Sequence, residues 1–197
     1  MRWLGHALIA LGCLASVQAQ AGVRTEVKID TYKIAGDNGA ALLKAMDRNG
    51  PRHGFMTRAI AQTRYTVAWD MTWAVSDGRC LLKAADAKLS INYRYPALAG
   101  KASPKLKARW TRFMVGVRRH EETHGRIARQ MTAKAQRAVV GLGFAEDRYC
   151  RKTKREAMKV VGAIYADYEA RQERFDATEH QPGGPVDRLV SSFVKGR

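Results

Sequence analysis

Two histidines and a glutamate occur together in one short segment, residues 120–124, which reads His-Glu-Glu-Thr-His. If the segment is helical, four residues at about 100° each bring His124 to within about 40° of His120, so both imidazoles leave one face. Two imidazoles one turn apart can bind the same tetrahedral Zn²⁺. Glu121 lies about 60° from His124 on the helical wheel, near enough for its carboxylate to take a proton from a zinc-bound water. The segment therefore predicts a zinc site with His120 and His124 as ligands and Glu121 as the catalytic general base.

The residues around this segment indicate that it lies inside a helix whose histidines face the core. Val117 and Ile127 continue the apolar stripe on which the pair lies. Glu122 falls about 160° from His124 on the same wheel, so we expect it at the surface. The alternative interpretation is a pair of core histidines that bond to carboxylates or backbone groups. We favour zinc because the burial of Glu121 beside them without a metal would be costly.

A catalytic zinc needs a third protein ligand and one open position, and no third histidine directly follows His124. The helix continues from His124 for about 25 Å to Gly141, so a returning helix comes back abreast of the motif from Asp167 onward. His180 follows just after that stretch. Spacing alone leaves five candidates open, which are His53, Glu169, Glu173, Asp176 and His180.

The strands that would support this site follow from apolar periodicity. Residues 25–34 and 66–75 alternate apolar and polar side chains, which is typical of half-buried strands. Residues 76–79 have the composition of a turn, and a second alternating run reaches Tyr95, so this region predicts a hairpin.

The second half of the chain has the period of helices. Ser103 and Pro104 are typical of a helix start, and the pattern continues to about Gly141; another helix begins near Thr153 and ends near Asp176. The predicted fold is α+β, with a small antiparallel β-sheet followed by two long packed helices, the first of which carries the motif. We expect one zinc-metallopeptidase-like domain over residues 22–181 and a disordered tail over 182–197.

The N-terminus has the signature of a secretory signal peptide. A single positive charge precedes a short apolar stretch, and small residues suitable for cleavage follow at Ala19 and Ala21. We therefore expect residues 1–21 to be removed and the protein to be exported, either to the periplasm or out of the cell.

The cysteine count predicts one disulfide. Cys13 lies in the predicted leader, which leaves Cys80 and Cys150 in the mature chain. Two thiols outside the cytosol usually pair. Such a bond would close the loop between Cys80 and Cys150, and the chain-entropy model values this closure at about 4 kcal/mol of stability.

The charge balance is strongly basic, with 35 Lys and Arg against 18 Asp and Glu and a net charge of +17. Such a surface attracts polyanions non-specifically, including nucleic acid, anionic lipid and acidic wall polymers. The cations are spread from Lys101 to Lys159 rather than concentrated together with interleaved aromatics, so we expect no dedicated nucleic-acid site. A 46% apolar content excludes wholesale disorder, and we expect no transmembrane segment in the mature chain.

Several motifs together resemble the bacterial "domain of unknown function 922" family of predicted secreted zinc-dependent proteases. The matching segments are Tyr32 to Gly36, Gly50-Pro51, the strand Thr66 to Trp69, Cys80, the helix Trp110 to His124 and the ending Phe175 to His180. In that family the ending usually reads Tyr-Asp-x-x-Thr-x-His-Gly. Here Phe175 replaces the tyrosine, the segment from the aspartate to the histidine is one residue shorter, and no glycine follows His180. The resemblance implies peptidase activity and His180 as the third zinc ligand.

These observations favour a secreted or periplasmic zinc-dependent metallohydrolase, most simply a peptidase that acts on a protein or peptide substrate. The oxyanion would be stabilised by a phenol such as Tyr168 or by one of the many arginines. The alternative is a non-catalytic basic envelope protein that binds zinc or polyanionic components of the cell envelope.

Overall fold

The computed structural model describes residues 22–53 and 57–196 of the 197-residue chain. The predicted signal peptide lies outside the described residues, so it stays a prediction. In chain order the elements are β1 (Val23–Ile34), α1 (Gly39–Asn49), β2 (Arg52–His53), β3 (Thr57–Arg58), β4 (Gln62–Ser76), β5 (Arg79–Leu98), α2 (Pro104–Val139), β6 (Gly143–Phe144), α3 (Arg151–His180) and α4 (Pro185–Lys195). A four-stranded sheet and long helices confirm the predicted α+β class.

The predicted hairpin is confirmed. β4 and β5 are antiparallel neighbours along almost all of β4. The turn between them contains Asp77 and Gly78, both with positive φ (51° and 73°), which is the backbone form that a tight hairpin turn requires. Alternate side chains of β5 are buried, among them Leu89 (0% exposed) and Ile91 (1% exposed). The two-residue period therefore predicted which face of this strand meets the core.

The sheet is mixed, because β1 pairs with β5 in parallel over its whole length, from Val23 opposite Ala87 to Ile34 opposite Leu98. The prediction of a purely antiparallel sheet is therefore wrong. β4 occupies one edge of β5, so β1 and the short strand β6 share the other. A parallel pair needs a long crossover, which α1 and the following strands supply. Periodicity cannot distinguish the two directions, because both place alternate side chains on opposite faces.

The first long helix, α2, begins as the sequence predicted. The Ser103 hydroxyl accepts a hydrogen bond from the backbone N–H of Leu106 at 3.2 Å, and Pro104 occupies the first turn. Phe113 and Val117 pack from α2 into the main core with residues of β1, α1 and β5. None of the helices in the described part of the chain is both long and apolar enough to cross a bilayer.

The second long helix, α3, runs antiparallel to α2. Lys134 of α2 faces Asp167 of α3, whereas His124, ten residues earlier on α2, faces the later residue Gln172. Its start is tied to the sheet by the Cys80–Cys150 disulfide, which confirms the predicted pairing. α3 ends at His180 rather than near residue 176. The returning helix therefore lies abreast of the motif, as the rise per residue predicted.

The C-terminal segment is folded, and the prediction of a disordered tail over residues 182–197 is wrong. Gly183 adopts a left-handed conformation (φ 72°), and Pro185 then starts α4. Phe193 of α4 is 3% exposed and stacks on Phe113 with 4.3 Å between ring centroids. Glycine and proline residues are frequent in disordered segments, but here Gly183 and Pro185 form the turn after which α4 packs against the core. The domain therefore includes α4.

Candidate metal centre

The two histidines of the motif lie on the face of α2 that meets α3. The side chains of His120 and His124 are 11% and 13% exposed. Glu121 is buried, and Glu122 is exposed as the wheel predicted. Phe175 of α3 packs against both imidazoles, with ring centroids 5.0 Å and 5.1 Å away. The predicted inward orientation of the histidines is confirmed.

Three donor atoms from α2 and α3 converge in this region. His120 Nε2 lies 3.3 Å from His124 Nε2, and Asp176 Oδ1 lies 3.3 Å and 2.8 Å from these nitrogens, respectively. Ligand atoms about 2.0–2.1 Å from a tetrahedral ion are about 3.3–3.4 Å apart. Two of the three separations match this spacing, and the third is shorter.

The orientation of the His124 ring is set by Gln172. The amide Nε2 of Gln172 donates to the backbone carbonyl of His124 at 3.2 Å, which fixes the amide because a carbonyl can only accept. The other amide atom, Oε1, then faces His124 Nδ1 at 2.5 Å, so Nδ1 carries the hydrogen. In the neutral ring, Nε2 therefore has a lone pair, and that lone pair faces Asp176.

A neutral His124 would place this lone pair against a carboxylate, which only accepts hydrogen bonds when ionised. The 2.8 Å contact is therefore favourable only with a proton or a metal ion between the two groups. Burial lowers the pKa of His124, but hydrogen bonds to Asp176 and Gln172 outweigh it, and the pKa is raised. Burial likewise raises the pKa of Asp176, but its bonds to His120 and His124 bring it well below its usual range. The donor set thus fits a bound cation.

His180 belongs to the same cluster. One donor atom each from His120, Asp176 and His180 lie within 4.8 Å of one another. The rings of His120 and His180 are edge to face, 5.2 Å apart. Burial and the charge of His120 lower the pKa of His180, which favours the neutral form that binds metals. The expectation that His180 is the third ligand therefore stays a prediction, with Asp176 closer to both motif nitrogens.

Two of the other candidates for the third ligand, Glu169 and Glu173, are not in this cluster. Within the described residues, Glu169 and Glu173 line the adjacent cleft without joining the group of donor atoms. The side chain of His53 lies outside the part that the structure describes.

Glu121 is held by Thr63 of β4. Its side chain is 6% exposed, and the Thr63 hydroxyl lies 2.6 Å from Glu121 Oε2 and 3.1 Å from the Glu121 carbonyl oxygen. Burial raises the pKa of Glu121, while the hydrogen bond from Thr63 and the nearby histidines oppose the shift. A carboxylate with a raised pKa is a stronger base than an exposed one.

The cluster opens into a cleft of about 960 Å³ between α2, α3, α4 and β4. Tyr65 lines this cleft; burial raises the pKa of its phenol, and a hydrogen bond with Gln172 opposes the shift. Tyr168, which the sequence suggested as an oxyanion-stabilising phenol, does not line the cleft. Its ring instead faces Lys134 and Arg171, at 5.4 Å and 5.7 Å.

Sequence reasoning missed the roles of Thr63, Tyr65 and Gln172. A signal for Gln172 was present, because Gln172, Asp176 and His180 recur every four residues on α3, the same spacing that relates the two motif histidines. These three polar side chains on one face of α3, opposite the two histidines of α2, indicate a shared site. No comparable pattern exists for Thr63 and Tyr65, which reach the site only through the pairing of the sheet with α2.

The chain belongs to a recognised bacterial family. The sequence model described as "Bacterial protein of unknown function (DUF922)" matches residues 29–184, well over half of the chain. No curated protein and no solved structure matches it. The family description names no activity, so the protease activity that the resemblance implies stays a prediction.

Proposed function

We propose that this member of the DUF922 family is a zinc-dependent hydrolase, most simply a peptidase. The observation that carries the proposal is the convergence of His120 Nε2, His124 Nε2 and Asp176 Oδ1, each within 3.3 Å of the others, beside a buried glutamate. Two imidazoles and a carboxylate are a donor set that suits zinc. The leader-like N-terminus and the disulfide support export to the periplasm or beyond.

His120 and His124 would hold the metal, and the third ligand would come from the C-terminal end of α3. Asp176 takes that position in the proposal because its Oδ1 approaches both imidazole nitrogens. His180 is the other candidate. Three protein ligands leave one position for substrate or water, whereas four would close the site. Zinc bound here would supply a Lewis acid to a peptide carbonyl group and to water.

Glu121 would act as the general base and later as the proton donor to the leaving amine. Thr63 occupies Glu121 Oε2, so Oε1 is the atom left to receive the proton of a water in the cleft. The same hydrogen bond restricts the rotation of the carboxylate, so that Oε1 keeps one orientation toward the cleft. Tyr65, which lines the cleft, is the phenol available to donate to the developing oxyanion.

The test combines metal analysis with a cleavage assay. The purified protein should contain one zinc per chain and cleave casein or members of a peptide library, with loss of activity on chelation. Glu121→Gln should keep the zinc and the fold but abolish cleavage, because an amide cannot accept the proton. Glu122→Gln is the matched control and should be close to neutral, since this side chain is exposed.

Two outcomes would count against the proposal. Absence of zinc under metal-replete conditions would remove the metal site. Bound zinc with no cleavage of any peptide would instead favour a non-catalytic zinc-binding protein. Equal cleavage by the two glutamine variants would show that Glu121 is not the general base.

A further inference from the structure

The start of α3 carries an exceptional density of positive charge. Residues 148–159 contain six cations and one acid, Glu156. All six cations are exposed, namely Arg148, Arg151, Lys152, Lys154, Arg155 and Lys159. Within the described residues, only Lys159 of the six forms an ion pair, at 4.0 Å with Glu156. We name the surface formed by Arg148, Tyr149, Arg151, Lys152, Lys154, Arg155 and Met158 the basic–apolar patch.

This charge is placed where it opposes helix stability. The N-terminus of a helix carries a partial positive charge of about half an electron, so anions are favourable there and cations unfavourable. The first turn of α3 contains no acidic residue. The buried carboxylate of Asp147 accepts hydrogen bonds from the backbone N–H groups of Lys152 and Thr153 and so caps the helix end. The charge available to an external anion is therefore that of the exposed side chains.

Exposed apolar side chains lie within the same surface. Tyr149 is 64% exposed and Met158 74% exposed. Arg151 lies 5.8 Å from the ring centroid of Tyr149, and seven residues along α3 place Met158 on the same side as Arg151, about 10 Å further. Arg155 lies between them. Two cationic side chains flanked by two apolar ones thus form one row that faces solvent.

We propose that the basic–apolar patch binds the surface of an anionic phospholipid bilayer. Lipid headgroups would pair with the cations, while Tyr149 and Met158 would enter the boundary between headgroups and acyl chains. A soluble polyanion matches the cations but offers no apolar phase to these two side chains. The combination of both kinds of group therefore favours lipid over nucleic acid or a charged polymer.

The candidate metal centre lies at the opposite end of α3. Arg151 and Asp176 are 25 residues apart, which corresponds to about 37 Å of helix. Attachment through the basic–apolar patch would therefore leave the cleft free. The inference does not depend on the proposed enzymatic activity.

The experiment measures sedimentation of the purified full chain with vesicles. Binding is expected to vesicles of phosphatidylglycerol mixed with phosphatidylcholine and not to phosphatidylcholine alone. Arg151→Glu with Arg155→Glu should weaken binding by at least about tenfold, because each cation near an anionic surface contributes severalfold. Acidic side chains near a helix N-terminus stabilise the helix, so a loss of binding in this variant would not reflect unfolding. Tyr149→Ser with Met158→Ser should weaken binding by about fivefold while the net charge stays constant.

Lys101→Glu with Lys105→Glu is the matched control, because it makes the same charge change at and just before the start of α2, far from the patch, and should leave binding within about twofold. An equal loss in this control would overturn a localised patch. No binding to the phosphatidylglycerol vesicles would overturn the proposal outright. An unchanged affinity of the Tyr149→Ser, Met158→Ser protein, together with equally tight binding to inorganic polyphosphate, would assign the patch to soluble polyanions instead.

Discussion

Gln172 contacts His124 through both polar atoms of its amide, donating from Nε2 to the backbone carbonyl and accepting at Oε1 from the ring Nδ1. The backbone bond decides which way the amide faces, and the amide decides which ring nitrogen carries the hydrogen. A partner of this kind usually orients a metal-binding histidine.

Gln172→Ala should therefore lower zinc affinity by about 10–100-fold without loss of folding, because His124 loses both its ring orientation and its fixed tautomer. Competition with a chelator measures the affinity. Gln130→Ala is the matched control on the exposed side of α2 and should have no effect. Equal affinities for the wild type and Gln172→Ala would mean that the amide has only a packing role.

The third ligand can be identified by ranking variants at the end of α3. Asp176→Asn should weaken zinc binding by more than about 100-fold, since the amide removes a charged ligand. His180→Ala should have a smaller effect, and Glu173→Gln none, although Glu173 lines the same cleft. Zinc titrations of the three variants give the ranking. The reverse order for Asp176 and His180 would support His180, the ligand that the sequence predicted.

The hydrogen bond from Thr63 should set the acid limb of the pH profile. Burial raises the pKa of Glu121 above its ordinary 4.5, and the bond from Thr63 opposes this by stabilising the charged form. Activity that requires the ionised base is lost as pH falls through this pKa. Thr63→Val removes the hydrogen bond that opposes the shift, so the pKa of Glu121 should be higher in this variant than in the wild type. Its kcat/KM should therefore fall at a higher pH. Thr63→Ser keeps the hydroxyl and should retain the wild-type profile; a shift equal to that of Thr63→Val would refute the assignment.

The anchoring of α4 can be tested through stability. Phe193→Ala should lower the free energy of unfolding by about 3 kcal/mol or more, because it removes a buried ring stacked on Phe113. Val115→Ala is the control, 57% exposed on α2, and should change stability by less than about 0.5 kcal/mol. Urea unfolding measures both. A chain truncated after Gly183 with wild-type stability would show that α4 contributes nothing to the core.

The sequence by itself determined the local features of this protein. The fold class, the hairpin and the long helix that carries the motif follow from periods of two and 3.6, which are set by backbone geometry and need no distant contact. The inward orientation of His120 and His124 follows from the same geometry. The Cys80–Cys150 pair could be predicted because only these two cysteines lie outside the predicted leader.

Only the tertiary structure decided which distant residues meet. The parallel direction of β1 depends on the course of the long connection between β1 and β5, and the docking of α4 depends on space beside Phe113. Asp176 and Gln172 reach His124 because α3 returns along α2 with one particular rotation, and Thr63 reaches Glu121 through the packing of β4 on α2. A rotation of α3 by one residue, about 100°, would present other side chains without changing its periodicity. The balance of packing over the whole domain selects that rotation, so no local pattern reveals it.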